Sequence, residues 1–411
     1  MTSEPIDLSL RLEISPEEFA ERGRRVGTLA AERGFDAVLA WSRGGGTVDR
    51  AANVVWLTNH ANPWPAVPDS SMWSGQAHAG CLVLPDGERV LISNLDPNEW
   101  RNSAVSCDDA VDEPFIEQGL AQAVAARGLR RARIGIAGED ALTLGLWRRM
   151  RDALPEVDFQ PADSLLLEAR RIKSKAEREV IRRAVAVGEV MMEAMVAAVA
   201  PGTREADVHA AGMKAGIDLG VAPYDAPMSS GPNAALFAPR SLPTRSDRVL
   251  QEGDLWHTDL YGTWHGYLFD FSRSTVAGTP NADQLKILEA SVSIVEAVIE
   301  HIRPGVMFRD AWGAGEDVAA RLLPDLAAGP IHQRPKYAYP HYGHTIGVGW
   351  EDLWIAPDSD AVFEEGMHAT SETFASVSDA GFALFEQNFL VTADGVELTS
   401  RCEPRPWTVT R

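Results

Sequence analysis

Two aspartates stand inside segments that otherwise have the composition of buried strands, and this placement restricts the possible folds more than any other feature. Residues 253–274 have the sequence GDLWHTDLYGTWHGYLFDFSRS, with Asp259 and Asp270 among aromatic and β-branched residues. An ionised carboxylate that is buried without a partner costs several kcal/mol, roughly, even after relaxation. The fold must therefore supply a partner for both side chains.

The spacing of the two aspartates predicts a hairpin. Asp259 and Asp270 are equidistant from a turn centred between Trp264 and His265, within the turn-like segment GTWHG. Directly opposed residues of an antiparallel hairpin are close neighbours on one face, and two like charges there repel each other. We therefore predict that the aspartates face each other across one hairpin, with a cation between them.

A second acidic pair follows near the C-terminus. Glu372 and Glu386 are equidistant from Asp379, which lies in the turn-like sequence SDAG. Between the two predicted hairpins, the glycine-rich segment PHYGHTIGVG contains His341 and His344. Four paired carboxylates and an imidazole would form a site for a hard cation, or for two transition-metal ions about 3.5 Å apart.

The N-terminal part of the chain has a mixed α/β pattern. Ser15 and Pro16 begin a helix that is predicted to run to about Gly34. Apolar runs predict strands, and Pro85-Asp86-Gly87 predicts a tight turn. The predicted strands are residues 35–41, residues 54–58 (VVWLT), a hairpin over residues 81–92, and residues 131–138.

A capping box marks the start of a second domain. Ser174 and Glu177 open a long apolar-periodic segment that stops at Pro201-Gly202. Further helices are predicted at about residues 204–219 and 282–302, and strands dominate the remainder. We therefore expect two domains, residues 1–168 and residues 169–411.

Composition excludes several classes of protein. The net charge of −21 disfavours nucleic acid as a partner, because phosphate binding needs clustered Lys and Arg. The three cysteines fit neither a disulfide framework nor a CxxC metal site, and the acidic N-terminus lacks the apolar core of a secretory signal. The sequence contains no run of about 18 apolar residues, so no membrane helix is predicted. A cytoplasmic protein is expected.

These residues resemble the ligand set of the pita-bread metallopeptidase family (M24), which includes methionine aminopeptidase, aminopeptidase P, prolidase and creatinase. The segment GYLFDFSRS around Asp270 is similar to the family pattern GYxxDxxRT, and GHTIG around His344 is similar to GHxxG. Gly366-Met367 precedes Glu372 at the family's spacing. Upstream, RRIKSKAEREVIRRA resembles the segment that joins a creatinase-type N-terminal domain to the catalytic domain, and SSGPNAA resembles the substrate-side loop.

The resemblance implies an α/β (α+β) protein, with a small mixed α/β creatinase-type domain followed by a pita-bread catalytic domain. It also implies a hydrolase that uses water activated by two divalent ions (manganese, iron, cobalt or zinc) on a small carbon-nitrogen substrate, amide or imidodipeptide-like. The implied metal ligands are Asp259, Asp270, His344, Glu372 and Glu386.

Four residues are candidates for catalysis. By resemblance, Glu372 would also be the general base. His341, three residues before the metal histidine, and His257, on the same strand face as Asp259, are candidate proton donors or oxyanion stabilisers. Glu351 occupies the position at which the family usually has a second histidine. A carboxylate there would favour a cationic substrate group or an extra hydrogen-bond donor, unless it points to solvent.

The chain departs from the peptidase pattern at other positions too. The segment LFAP (residues 236–239) has no histidine after the substrate-side loop. Thr373 and Phe374 replace the proline and glycine that usually follow the first glutamate, and Leu384 replaces an arginine. All five ligands are retained, so the pattern favours metal chemistry on a different substrate. The alternatives are an Xaa-Pro dipeptidase, a lyase like those that cleave dimethylsulfoniopropionate, and a non-enzymatic binding protein.

The resemblance also implies a homodimer. In related two-domain proteins, the N-terminal domain of one subunit helps to cover the active site of the other. The aromatic segment WPAVPDSSMW, residues 64–73, is a candidate for this cover, and the alternative is a loop that packs on its own domain. The expected substrate is a small molecule or a dipeptide.

Overall fold

Two compact units make up the chain. The computed structural model describes residues 14–44, 50–62, 74–94, 104–234, 246–324, 341–377 and 381–408. The first unit ends at Arg171 and the second begins at Ile172.

The first unit is built on one six-stranded mixed sheet with the strand order β4-β3-β2-β1-β5-β6. Its strands are β1 (Ala37–Arg43), β2 (His78–Val83), β3 (Arg89–Ser93), β4 (Asp109–Asp112), β5 (Arg133–Ala137) and β6 (Asp158–Pro161). Its helices are α1 (Pro16–Glu32), α2 (Ala52–Thr58), α3 (Ser74–Ala77), α4 (Ile116–Ala126), α5 (Leu144–Ala153) and α6 (Asp163–Arg171). The predicted first helix, the β2–β3 hairpin and the strand before Gly138 are confirmed.

The predicted strand VVWLT is wrong, because these residues form helix α2. A short apolar run does not distinguish a buried strand from a buried helix. Here Asn59 adopts the left-handed conformation (φ 57°) that ends helices, and the Thr58 hydroxyl donates to the carbonyl of Val54 one turn earlier. The helix buries Trp56 and Leu57 in the core of the unit.

The second unit contains two sheets. The first sheet comprises β7 (Ala222–Asp225), β8 (Met228–Ser230), β9 (Asp254–Trp264) and β10 (Tyr267–Ala277). The second comprises β11 (His344–Ile346), β12 (Trp350–Trp354), β13 (His368–Val377), β14 (Gly381–Val391) and β15 (Val396–Leu398), in the order β12-β11-β13-β14-β15. Strand β10 lies against β14, so the two acidic hairpins meet.

Four α-helices pack around these sheets in the described part of the second unit. They are α7 (Lys175–Ala198), α8 (Glu205–Asp218), α9 (Ala282–His301) and α10 (Phe308–Leu322). Helix α7 packs on β9 and β10, whereas α9 packs on β13 and β14. The predicted capping box is confirmed, because Ser174 accepts from the Glu177 amide and the Glu177 side chain accepts from the Ser174 amide. This cap satisfies two helix N–H groups that would otherwise lack partners.

The first acidic hairpin has a different register from the predicted one. Asp259 is opposite Ser272, and Asp270 is opposite Tyr261, so the two aspartates are diagonal neighbours on one face. The cause is the turn, which consists of His265 and Gly266 alone. Both have positive φ (49° and 83°), as a two-residue type I′ turn requires.

The second acidic hairpin has the predicted register. Glu372 of β13 is directly opposite Glu386 of β14. Like charges at opposed positions are destabilising unless something neutralises them. The predicted turn centre, Asp379, lies outside the described residues.

We expect Gly266→Ala to lower the free energy of unfolding by about 1 kcal/mol, because an L-residue is strained at this positive φ. The measurement is urea unfolding of the two proteins. Gly313→Ala is the matched control, because Gly313 lies within helix α10 and an added Cβ there meets nothing within 4 Å. The control should gain roughly 0.5–1 kcal/mol. Equal effects of the two substitutions would contradict the turn assignment.

Candidate metal centre

The structure brings the five predicted ligands together from five strands of the second unit. They are Asp259 on β9, Asp270 on β10, His344 on β11, Glu372 on β13 and Glu386 on β14. All except the partly buried Asp259 are at most 5% exposed. Burial of so many ionisable groups at one point indicates a functional site rather than a structural cluster.

The glycine before the histidine lets the two central strands approach each other. Gly343 has φ 125°, and a Cβ there would lie 2.0 Å from the carbonyl oxygen of Thr370. No other residue fits this position without moving β13. The GH pair of GHTIG therefore has a steric basis, because glycine permits the contact that places His344 beside Glu372.

Three of the ligands form the tightest group. One ligand atom from each of Asp270, His344 and Glu386 lies within 4.8 Å of the other two. The Nε2 atom of His344 is 3.8 Å from Asp270 Oδ2 and 3.8 Å from Glu372 Oε1. These separations are too long for hydrogen bonds but suit atoms that share an ion, since metal–ligand distances are about 2.0–2.2 Å.

Hydroxyl groups orient the remaining carboxylate oxygens. The Oγ atom of Ser272 lies 2.9 Å from Asp259 Oδ1 and 3.1 Å from Glu386 Oε2, so it links the two hairpins. The Thr370 hydroxyl donates to the other oxygen of Glu386. Each hydroxyl has a single proton to donate, so these contacts orient the carboxylates without neutralising them.

The electrostatics of the group call for a cation. Burial raises the pKa of Asp259 to about 6. Burial, and then the charges of neighbouring carboxylates, raises the pKa of Asp270, Glu372 and Glu386 well above the usual range. Four such groups cannot all be ionised at neutral pH unless positive charge is added.

The donor set fits divalent metal ions. Asp270 Oδ1 is buried and has no hydrogen-bond partner among the described residues. Burial lowers the pKa of His344 to about 4, so the ring is neutral at neutral pH. Its Nδ1 atom lies 3.2 Å from the Thr345 carbonyl, and a ring that donates there presents the Nε2 lone pair to the carboxylates.

The structure places the two other candidate histidines differently. The Nδ1 atom of His341 is 3.4 Å from Glu372 Oε1, beside the ligand group, and burial lowers its pKa to about 3. His257 is fully buried on β9, and its ring packs edge-on against Phe382 at 5.4 Å. His341 is placed to exchange a proton with Glu372, because its Nδ1 atom lies 3.4 Å from that carboxylate.

The interpretation of Glu351 needs correction. Its side chain is buried, so the alternative that it points to solvent is wrong. Its cationic partner belongs to the same chain, because the Lys173 ammonium donates to both carboxylate oxygens at 2.7 and 2.9 Å. Strand alternation turns Glu351 toward Lys173 and its neighbour Trp350 toward the ligand group.

Sequence reasoning missed Trp350 as a site residue. Its indole Nε1 donates to Asp270 Oδ2 at 2.7 Å. An indole is not a metal-ligand type, so composition does not mark Trp350, although the alternation along GVGWED is a signal. Once Glu351 is assigned to the core side of β12, Trp350 must face the opposite side.

The segment that resembles the family's substrate-side loop is anchored at its start. The Ser230 hydroxyl accepts from Arg248 at 2.7 Å and donates to Glu205, and Arg248 also pairs with Asp254.

Two predicted features, residues 64–73 and the histidine-free segment at residues 236–239, lie outside the described residues. Over the described parts of the chain, no helix is long and apolar enough to cross a membrane.

Two family models match the chain. Residues 179–393 match metallopeptidase family M24, and residues 22–172 match the creatinase/prolidase N-terminal domain. Among curated proteins, an Xaa-Pro dipeptidase of Pyrococcus furiosus is 25% identical over 66% of this chain and 74% of its own length. A probable dipeptidase of Mycobacterium bovis is 29% identical over 78% of this chain and 83% of its own length.

Solved structures share the fold. The prolidase of Pyrococcus horikoshii has a TM-score of 0.74 at 19% identity, covering 93% of this chain and 99% of its own. An Xaa-Pro dipeptidase of Bacillus anthracis has a TM-score of 0.75 at 21% identity, covering 95% of this chain and 98% of its own. The matches confirm the predicted fold, an N-terminal mixed α/β domain followed by a pita-bread domain, and the predicted family resemblance.

We expect Lys173→Met and Glu351→Leu each to lower the free energy of unfolding by about 3–5 kcal/mol, because each leaves one buried charge without its partner. The double variant should recover much of this loss, since both charges are then absent. Urea unfolding of the four proteins completes a double-mutant cycle. Additive losses in the double variant would contradict a direct coupling between the two side chains.

Proposed function

The chain belongs to metallopeptidase family M24, and on that premise we propose that it hydrolyses a carbon-nitrogen bond in a small substrate, a short peptide or an imidodipeptide-like amide. It is an enzyme, a metal-dependent hydrolase of peptidase type. The observation that carries the proposal is the buried group of Asp270, His344 and Glu386, whose ligand atoms lie within 4.8 Å of one another, with Glu372 3.8 Å from His344 and Asp259 joined to Glu386 through Ser272.

We propose that the site holds two divalent ions. The residues that would hold them are Asp259, Asp270, His344, Glu372 and Glu386. When bound, the ions would lower the pKa of a water molecule and polarise the carbonyl group of the substrate. Oxygen ligands with one imidazole suit manganese, iron, cobalt or zinc.

Glu372 and His341 are the proposed proton carriers. Glu372 would accept the proton from the attacking water, because its carboxylate lies in the ligand group and contacts a second proton carrier. The 3.4 Å separation of Glu372 Oε1 from His341 Nδ1 gives this proton a path to the imidazole. His341 would then deliver it to the leaving nitrogen. His257 is the second candidate for this delivery, since it lies two residues from Asp259 on the same strand face.

We propose that Glu351 is a positioning residue. Its carboxylate, on β12, accepts two hydrogen bonds from the buried Lys173 ammonium. Glu351 would therefore act on the substrate only through the position of this strand.

Small peptides are the first substrates to test. The relatives from Pyrococcus furiosus and Mycobacterium bovis carry dipeptidase names, and Xaa-Pro dipeptides are the substrates that the first name specifies. A homodimer in the cytoplasm is the proposed assembly and location. All three cysteines, Cys81, Cys107 and Cys402, are free, which suits a reducing compartment.

We expect Asp259→Asn and His344→Ala to lose bound metal and to reduce turnover by at least about 100-fold. That factor is the largest loss usual for residues that support a metal ligand without binding the metal themselves. The measurements are metal content after manganese-supplemented expression and turnover of Gly-Pro. Asp283→Asn and His301→Ala, both on helix α9, are the matched controls and should leave metal content and turnover unchanged. Retention of metal and turnover by both site variants would show that the ligand assignment is wrong.

Hydrolysis of Gly-Pro or Ala-Pro in water labelled with heavy oxygen should place one labelled oxygen in the released carboxylate. The reason is that water supplies the new carbon–oxygen bond. Mass spectrometry of the products is the measurement. Turnover of another substrate without label would instead indicate an elimination by a lyase. Bound metal without turnover of any amide would favour a binding protein.

A further inference from the structure

We propose that Trp350 is a positioning residue that fixes the carboxylate of Asp270 and thereby sets the affinity of the site for metal. The inference rests on the metal-binding part of the proposed function. Its basis is the hydrogen bond of 2.7 Å from the indole Nε1 of Trp350 to Asp270 Oδ2.

The two oxygens of Asp270 have unequal surroundings. Oδ2 accepts the indole N–H and lies 3.8 Å from His344 Nε2, whereas Oδ1 is buried without a hydrogen-bond partner among the described residues. One donor on one oxygen sets the rotation of the whole carboxylate group. Oδ1 and the remaining lone pair of Oδ2 are then directed to fixed positions inside the ligand group.

An indole suits this task for a chemical reason. Its N–H donates and cannot accept, and it does not titrate in the range where proteins are stable. The donor therefore keeps its direction and its charge state when an ion enters or leaves. Partners of this kind usually change metal affinity by 10–100-fold.

Neighbouring side chains hold the indole in place. Tyr261 lies directly opposite Asp270 across the first acidic hairpin, and its ring packs edge-on against Trp350 at 5.3 Å and 72°. On the other side of β12, the next residue, Glu351, is bound to the buried Lys173. The indole is therefore supported from the hairpin that carries its acceptor and from its own strand.

Trp354 is too close to the site to serve as the control. It lies four residues further along the same strand, and its ring packs against His341 and His344 at 4.4 and 4.9 Å. Its indole N–H, however, donates to Asp352 at 2.9 Å and not to a metal ligand. Because Trp354 contacts two residues of the proposed site, the control is Trp264 of β9, whose indole N–H donates to the Leu219 carbonyl at 3.2 Å.

The experiment compares metal binding by the wild type, Trp350→Phe and Trp264→Phe. Metal is removed by chelation, and Co²⁺ is added while its visible absorption and the heat of binding are recorded. Trp350→Phe should bind Co²⁺ about tenfold more weakly, with altered absorption bands, because Asp270 has lost its fixed orientation. Trp264→Phe should stay within about twofold of the wild type, because the hydrogen bond that it loses is made to the Leu219 carbonyl.

Two outcomes would overturn the proposal: wild-type affinity in Trp350→Phe, or an equal loss in both variants. Thermal melting of the metal-free proteins checks that each variant folds. If Trp350→Phe does not fold, incorporation of 3-benzothienylalanine at position 350 replaces the N–H with sulfur at nearly constant shape, and the same tenfold loss is expected. Failure of the wild type to bind any metal would instead contradict the proposed function itself.

Discussion

Repulsion among four carboxylates at one buried point is the constraint on which the second unit depends. Burial and mutual charge both oppose ionisation there. The hydroxyls of Ser272 and Thr370 and the indole of Trp350 contact the carboxylate oxygens as donors without adding a full positive charge. Neutral donors orient carboxylates but do not cancel their charge, so a divalent cation is the component that this arrangement requires.

The two hairpins meet this constraint in different ways. Glu372 and Glu386 are directly opposed. In the other hairpin the short turn shifts the strands, so that Ser272 and not Asp270 is opposite Asp259. The shift removes one direct like-charge contact and puts a hydroxyl where it reaches both Asp259 and Glu386. The two-residue turn thus sets the register that places the Ser272 hydroxyl between the acidic pairs of the two sheets.

The sequence predicted which acidic side chains and which histidine come together better than it predicted their surroundings, for identifiable reasons. Carboxylates in strand-like segments mark residues that cannot be buried without a partner, and symmetry about the predicted turn gave the correct register for Glu372 and Glu386. It failed at His265, because left-handed backbone at a non-glycine residue is rarely visible in a sequence. The partner of Glu351 was not predicted either, because no local sequence pattern indicates that its carboxylate binds Lys173, 178 positions away. The strand predicted at residues 54–58 was wrong, because the length and composition of this apolar run fit both a helix and a strand.

That long separation has a consequence for how the protein is made. Lys173 follows the start of the second unit by one residue, yet its counter-charge is synthesised only after most of the chain has emerged. Ordering such a long loop has an entropic cost that only later contacts can offset. In the first unit, the hydrogen bond from Arg25 to the Ala169 carbonyl spans 144 positions, but both residues precede Ile172. During synthesis the first unit can therefore complete its core while the second still lacks the strand that carries Glu351. Any product truncated before β12 would lack the carboxylate that binds the Lys173 ammonium in the folded protein.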